Sequence, residues 1–142
     1  MPVSARWTAG GLQFEASDDR GHRITADQQP PLGADRGFSP PDLLLAALCG
    51  CTGASAVSLL QKMRQPLTSL TVSAEGDRQP DWPKAFTEIR LHYQVQGDRP
   101  FDEGLVRKAV ELATYRYCAV GATIELGKDG CKILYDFSIS GL

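Results

Sequence analysis

The chain has 142 residues, a length that predicts one domain covering residues 1–142, since domains usually contain about 100–200 residues. Fifteen Lys and Arg against seventeen Asp and Glu leave a net charge of −2, which argues against a nucleic-acid binder that neutralises phosphates and against a polybasic membrane-surface protein. The content of 42% hydrophobic and 23% charged residues is typical of a folded globular domain.

The amino-terminal third predicts a β-meander followed by a long loop. Apolar residues alternate with polar ones over residues 3–9 and 12–16, and a third short strand is expected around residues 24–26. From Asp27 to Pro41 the chain contains four prolines and two glycines, which predicts a loop of about fifteen residues. Loops of this length are often functional, so we suspect a function for this one.

A long uncharged helix is expected next. The eighteen residues from Leu43 to Leu60 carry no charge, which is at the lower edge of a transmembrane span. Five of the eighteen are Gly, Ser or Thr, and Asp42 and Lys62 lie close on either side. Because there is also no second such segment, we expect no membrane insertion and a helix buried inside a soluble protein. Ser39 can cap its amino terminus, and Pro66 stops it after about residue 64.

The second half of the chain predicts strands and helices in an order typical of the α+β class rather than of repeating βαβ units. The expected ranges are a strand at 70–75, a loop at 76–85, a strand at 88–96, a helix at 102–117, a short helical turn or strand at 122–126 and a strand at 131–139. The central strand turns Ile89, Leu91, Tyr93 and Val95 inward. The apolar stripe of the helix at 102–117 comprises Val106, Ala109, Val110, Ala113 and Tyr117.

The interpretation of the four cysteines depends on the compartment in which the chain works. Residues 1–19 contain no apolar segment of about 7–15 residues, so we expect no secretory signal and a cytoplasmic location. In a reducing cytoplasm, cysteines are free thiols, metal ligands or redox catalysts. A chain of this size also has enough core to fold without a disulfide framework. The residues in question are Cys49, Cys51, Cys118 and Cys131.

Helix geometry separates the two neighbouring cysteines. Two residues at about 100° each place Cys49 and Cys51 about 200° apart around the helix axis, so they face opposite sides and do not bond each other. The same separation argues against a shared metal site, and the sequence has no Cys-x-x-Cys. We therefore expect no metal and no bound cofactor. We interpret Cys131 as a core residue and Cys49 as a core or helix-contact residue.

The other two thiols each have two interpretations. Cys51 is either a small buried hydrophobe or a reactive thiol, and Cys118, at a predicted helix end, is either a partly buried residue of a connection or a resolving thiol. An ordinary thiol, with a pKa of about 8.5, is only a few per cent ionised at pH 7, and the amino terminus of its own helix is too far from Cys51 to help. A reactive Cys51 would therefore need a cation from elsewhere, with candidates at Arg20, Arg23, Arg36, Arg64 and Arg116.

Four segments together carry a family resemblance: SPPDLLLAALCGCTGASAVSLLQKMR at 39–64, AFTEIRLHYQVQG at 85–97, VRKAVELATYRYCAVGATIE at 106–125 and CKILYDFSI at 131–139. They resemble the osmotically inducible protein C / organic hydroperoxide resistance family (OsmC/Ohr), with details most similar to its YhfA-like branch. The resemblance implies an α+β OsmC-like fold, in which a curved antiparallel β-sheet wraps a long buried central helix in an intertwined homodimer. The small residues Ala46, Gly50 and Ala54, spaced four apart, agree with burial against a partner helix.

Carried over by position, the resemblance implies that Cys51 is the peroxidatic cysteine and Cys118 the resolving cysteine of a thiol peroxidase that acts in oxidative or osmotic stress. The Cys51 thiolate would attack an organic hydroperoxide and become a sulfenic acid. Cys118 would condense with it to a disulfide, and an external dithiol would reduce that disulfide.

Two departures from the family pattern keep a second hypothesis open. Pro41 stands where the hydroperoxide-resistance branch has a catalytic Glu, and the carboxylate follows one residue later at Asp42. The catalytic Arg of the family has no secure match among Arg20 and Arg23. The alternative is a dimeric OsmC-like protein without peroxidase turnover, which would serve as a small-ligand binder or a scaffold.

Overall fold

The computed structural model describes residues 2–127 and 130–141. The observed order of elements confirms the predicted α+β class. The elements are β1 (Val3–Trp7), β2 (Phe14–Asp18), β3 (Arg23–Ala26), α1 (Pro40–Lys62), β4 (Leu67–Arg78), β5 (Phe86–Gly97), α2 (Glu103–Tyr115), α3 (Ala119–Leu126) and β6 (Lys132–Gly141). The chain divides into two compact units, Met1–Leu44 and Leu45–Leu142, so the assignment of a single domain stays a prediction.

The first unit contains the predicted β-meander. Strands β1, β2 and β3 pair in sequence order and antiparallel, with Ala5 opposite Ala16 and Ala16 opposite Ile24. Short antiparallel strands joined by tight turns fit the alternation seen in the sequence.

The long loop after β3 is held by one buried carboxylate. Asp27 accepts hydrogen bonds from the backbone N–H groups of Gln28 at 2.7 Å, Arg36 at 3.1 Å and Ala34 at 3.3 Å. The N–H of Arg36 and then that of Gln28 hold the pKa of Asp27 below its ordinary value. The loop is therefore an ordered connection built around Asp27, and its suspected function has no further support from this arrangement.

Strand pairing in the second unit differs in one respect from the predicted antiparallel sheet. Strand β5 is central; β4 pairs with it antiparallel, whereas β6 pairs with it parallel, with Ile89 opposite Ile133. Parallel strands need a long crossover connection, and the segment containing α2 and α3 supplies one. The strand expected at 70–75 runs from Leu67 to Arg78, because its pairing with β5 continues to Arg78 opposite Phe86.

The core of the second unit lies on the predicted inner face of β5. Its four inward side chains are almost completely buried, as are the predicted stripe residues of α2 from Val106 to Ala113. Tyr117, the last member expected in that stripe, is instead 54% exposed, because α2 ends at Tyr115. The core is completed by a line of buried residues on α1, which are Leu48, Thr52, Ala56 and Leu60.

Helix α1 begins at Pro40, where the Ser39 hydroxyl accepts the backbone N–H of Asp42 at 3.3 Å, as predicted for a capping residue. Among the described residues, α1 is the one helix whose length and apolar composition would allow it to cross a membrane. Its buried residues recur at every fourth position, so one face packs on the core of its own chain.

We predict that truncation of one leucine on the buried line of α1 is costly. Leu60→Ala removes a fully buried side chain and should lower the free energy of unfolding by about 2–5 kcal/mol in urea denaturation followed by circular dichroism. The matched control is Leu126→Ala, at a side chain that is 87% exposed, with an expected change within about 0.5 kcal/mol. Equal effects of the two substitutions would contradict the packing described above.

Candidate functional site

The site begins with the way in which Cys118 starts helix α3. Cys118 has an extended backbone, with φ −97° and ψ 107°, and is the amino-terminal cap of the helix. Its sulfur accepts the backbone N–H of Gly121 at 3.1 Å, and its carbonyl accepts the N–H of Ala122 at 2.9 Å. The short helix or strand expected at 122–126 is therefore a helix that starts three residues earlier, and Cys118 is buried at its first turn.

Cys51 projects from the middle of α1 toward this turn of α3. Burial acts to raise the pKa of its thiol. The backbone N–H of Val120, the thiol of Cys118 and the backbone N–H of Ala119 act in the opposite direction on this pKa and outweigh that effect. The pKa of Cys51 consequently lies below its ordinary value, so more of this thiol is ionised at neutral pH.

The neighbouring thiol is shifted in the opposite direction. Burial and the hydrogen bond to Cys51 raise the pKa of Cys118 to about 11. Cys118 is therefore protonated at neutral pH. The structure thus brings together the two cysteines singled out in the sequence, 67 residues apart along the chain, closely enough for each to shift the pKa of the other.

The other two cysteines stand outside this pair. Cys131 is 7% exposed, which confirms its interpretation as a core residue, and Cys49 packs half-buried against the core from α1. Burial raises the pKa of both thiols. Buried thiols of raised pKa are poor nucleophiles, so neither competes with Cys51.

A buried tyrosine joins the central strand to the helix that precedes Cys118. Tyr93 on β5 is fully buried, and its hydroxyl lies 2.9 Å from the hydroxyl of Thr114 on α2. Burial raises the pKa of Tyr93, so its phenol stays protonated. Because Thr114 precedes Cys118 by four residues, this hydrogen bond fixes the end of α2 on β5.

The expected cation is not among the groups that lower the pKa of Cys51. That lowering comes instead from two backbone N–H groups and one thiol. Pattern analysis of the sequence missed the N–H groups of Ala119 and Val120 because side-chain type does not report on backbone donors.

The residues described at 2–127 and 130–141 contain no group of three or more His, Cys, Asp or Glu side chains that could hold a metal ion. The candidate site is thus a pair of thiols near the amino terminus of α3, and Leu45 of α1 and Val120 and Ile124 of α3 pack against the same core.

Comparisons with known proteins place this arrangement in a family. The sequence profile of the OsmC-like proteins matches residues 33–129. The chain is 34% identical to protein YhfA of Escherichia coli strain K12 over 125 residues, which are 88% of this chain and 90% of YhfA. The chain therefore belongs to the OsmC-like protein family. It is a soluble member, and its long helix α1 is a core helix.

Solved structures show the same fold. The chain is similar to an OsmC-like protein of Mycoplasma pneumoniae, with a TM-score of 0.82 and 22% identity over 97% of this chain and 95% of that one. It is also similar to an organic hydroperoxide resistance protein of Legionella pneumophila, with a TM-score of 0.67 and 15% identity over 98% and 95% of the two chains. The OsmC-like fold with its long central helix is thereby confirmed.

We predict a fixed order of reactivity among the four thiols. At pH 7.5 iodoacetamide should alkylate Cys51 first, because the thiolate is the reactive form and only Cys51 among the four has a lowered pKa. Peptide mass spectrometry over a time course measures the order. In 8 M urea, as control, the four rates should converge, and faster labelling of Cys118 than of Cys51 in the folded protein would contradict the assignment.

Proposed function

We propose that this protein is a cysteine-based thiol peroxidase that reduces organic hydroperoxides, with Cys51 as the attacking and Cys118 as the resolving cysteine. The observation that supports the proposal best is the contact between two thiols of opposite acidity, one poised to be ionised and the other protonated. The family includes proteins described as organic hydroperoxide resistance proteins, which adds independent support.

The first chemical step uses the ionised thiol. The Cys51 thiolate attacks the distal oxygen of the hydroperoxide, the O–O bond breaks, and the departing alkoxide takes a proton to leave as an alcohol. Cys51 becomes a sulfenic acid, the first stage of cysteine oxidation, and the peroxide is reduced by two electrons. A lowered pKa favours this step because it raises the thiolate fraction.

The second step uses Cys118. Its sulfur displaces the hydroxyl of the Cys51 sulfenic acid, and water leaves as the disulfide forms. In the reduced protein, the hydrogen bond to Cys51 helps to raise the pKa of Cys118. Loss of the negative charge on Cys51 removes that effect, so Cys118 becomes easier to ionise once Cys51 has been oxidised. An external dithiol in the cytoplasm then reduces the disulfide and is itself oxidised.

Substitution of the two cysteines tests this cycle. Cys51→Ser should abolish reduction of cumene hydroperoxide, a loss of at least about 1,000-fold, because serine supplies no thiolate. Cys118→Ser should retain one round of peroxide reduction per chain without dithiol-dependent turnover. This variant keeps an oxygen acceptor for the α3 amino terminus, so the fold is preserved.

The matched control for both variants is Cys131→Ser, which removes a core thiol outside the pair. Its turnover, measured by peroxide consumption with dithiothreitol as reductant, should stay within about twofold of the unaltered protein. Normal turnover of Cys51→Ser would contradict the proposal.

A second candidate function is small-ligand binding without turnover. Pro41 at the position of the family's catalytic Glu favours it, and a Vibrio cholerae organic hydroperoxide resistance protein holds captopril in one of its active sites. One measurement distinguishes peroxide reduction from ligand binding without turnover. A ligand-binding protein would leave the rate of cumene hydroperoxide reduction at that of free dithiothreitol, whereas a peroxidase raises it in proportion to protein concentration.

We also propose that two copies pair through α1, as the family resemblance implies. The small residues Ala46, Gly50 and Ala54 are exposed in the single chain, and the position of a β-carbon on Gly50 would meet open space. A groove of about 680 Å³ follows this face between α1 and β4 and is lined largely by apolar residues. An uncharged helix face left in water would be unfavourable, and a second copy of the same face would bury it.

Light scattering tests the pairing. At micromolar concentration the mass should be twice the 15.4 kDa of one chain. Ala54→Glu places a charge on the small-residue face and should shift the mass toward one chain. Lys108→Glu changes the charge at an exposed position of α2, away from this face of α1, and should leave the dimer intact. A mass of 15.4 kDa for the unaltered protein would contradict the proposal.

A further inference from the structure

The outward face of the sheet in the second unit carries three polar side chains that are linked through one imidazole. His92 on β5 lies opposite Asp136 on the parallel strand β6, and Ser138 follows Asp136 by two residues on the same face. The imidazole Nδ1 of His92 lies 2.5 Å from Oδ1 of Asp136, and its Nε2 lies 3.2 Å from Oγ of Ser138. The imidazole of His92 therefore stands between a carboxylate and a hydroxyl.

The direction of these two hydrogen bonds follows from what each group is able to donate. A carboxylate only accepts, so the neutral imidazole carries its proton on Nδ1 and donates it to Asp136. Nε2 is then an acceptor, and the hydroxyl of Ser138 is the donor within reach of it. A hydroxyl that donates to an imidazole whose other nitrogen is held by a carboxylate has the arrangement of an activated serine nucleophile.

The imidazole and the carboxylate also border a cavity on this face. The cavity has a volume of about 400 Å³, and its lining includes His92, Asp136, Ser73 and Leu134 from the three strands of the sheet. This volume is within the range of small-molecule sites. The strand register places Gln94 opposite Ser138, so a side-chain amide on the same face is available to donate to an oxyanion that forms beside the hydroxyl.

The charge around His92 favours some classes of small molecule over others. The charged side chains at the outward positions next to it are Glu75, Asp77, Glu88, Arg90, Lys132 and Asp136. The guanidinium of Arg90 lies 2.8 Å from Asp77 and 3.2 Å from Glu88, so its charge is already paired. Because the carboxylates outnumber the cations, an anionic molecule would be repelled from this face, and an uncharged or cationic one would not.

We propose that Ser138, His92 and Asp136 form a second nucleophilic site, which hydrolyses small uncharged or cationic acyl esters. Ser138 is the nucleophile, His92 is the general base, and Asp136 is a positioning residue that holds the imidazole. The neighbours of His92 along β5, Leu91 and Tyr93, are buried in the core, so His92 faces the other side of the sheet. The site is therefore separate from the pair of thiols, and its test is independent of the proposed peroxidase.

The reaction has two halves, and each moves protons through His92. In the first, Oγ of Ser138 bonds to the carbonyl carbon of the ester, and its proton passes to Nε2 of His92. The bond between the carbonyl carbon and the alcohol oxygen breaks, and the alcohol leaves with that proton. In the second, water attacks the acyl-serine and gives a proton to His92, and Ser138 takes the proton back as the carboxylic acid leaves. The sum is an ester and water giving an acid and an alcohol.

Covalent labelling tests the nucleophile without any substitution. An uncharged alkyl fluorophosphonate should phosphonylate Ser138 of the unaltered protein with loss of fluoride, and peptide mass spectrometry locates the product. Ser140 is the internal control, because it lies two residues later on the same face of β6, is likewise exposed, and lies opposite Gln96. Ser138 should react about 100-fold faster than Ser140, since a positioned general base contributes at least that much. Absence of label on Ser138, or equal labelling of the two serines, would overturn the proposal.

Hydrolysis of p-nitrophenyl acetate tests the three roles. The assay uses the Cys51→Ser chain as its starting point, because a thiolate also attacks activated esters. Ser138→Ala and His92→Asn should each lower the rate by about 100-fold or more, and Ser140→Ala should leave it unchanged. Asp136→Asn should lower kcat with KM unchanged, because an amide no longer holds the imidazole in the required tautomer. A Ser138→Ala rate equal to that of Ser140→Ala would overturn the proposal.

A charged ester tests the class of substrate. The probe 3-carboxy-4-nitrophenyl acetate adds one carboxylate to the same ester, and its protein-dependent hydrolysis should be about fivefold slower at low salt than that of p-nitrophenyl acetate. The difference should shrink as the ionic strength rises, because salt screens the repulsion. Equal rates for the two esters at low salt would overturn the assigned preference for uncharged or cationic esters.

Discussion

The cap that Cys118 forms on α3 is the constraint on which the arrangement of the two thiols depends. Its sulfur accepts the backbone N–H of Gly121 at 3.1 Å, and α3 begins at the next residue. The backbone N–H groups of Val120 and Ala119, together with the Cys118 thiol, lower the pKa of Cys51. One residue therefore sets both the start of α3 and the position of the second thiol.

The packing of α1 against the core positions Cys51 near the first turn of α3. Leu48, Thr52, Ala56 and Leu60 form the line that meets the core, and Cys51 lies one residue to the side of it. The hydroxyl of Tyr93 lies 2.9 Å from that of Thr114, which ties α2 to β5. A buried hydroxyl with a partner specifies a single arrangement more sharply than apolar contact does, since misplacement leaves it unsatisfied.

Most of the fold could be predicted from the sequence because its elements have strong periodicities. The alternation at Ile89, Leu91, Tyr93 and Val95 and the stripe from Val106 to Ala113 both correspond to buried faces. The parallel partner of β5 could not be predicted, since strand direction depends on how the crossover packs and not on the pattern within a strand. The pairing of Cys51 with Cys118 could be predicted only through the family resemblance. The effect of backbone N–H groups on the pKa of Cys51 could not, because the peptide N–H is common to nearly every residue type.

Cys118 has two roles, one as the cap of α3 and one as the second thiol of the proposed reaction. The two roles make different demands on its side chain. As the cap of α3, its side chain need only accept the N–H of Gly121, and the oxygens of serine, threonine, asparagine or aspartate do that well. In the proposed redox role, it must be sulfur. A descendant sequence could therefore exchange this thiol for a hydroxyl, keep α3 in place, and lose the second thiol of the pair with an unchanged fold. The start of α3 can thus persist in sequences that no longer carry out the two-cysteine reaction.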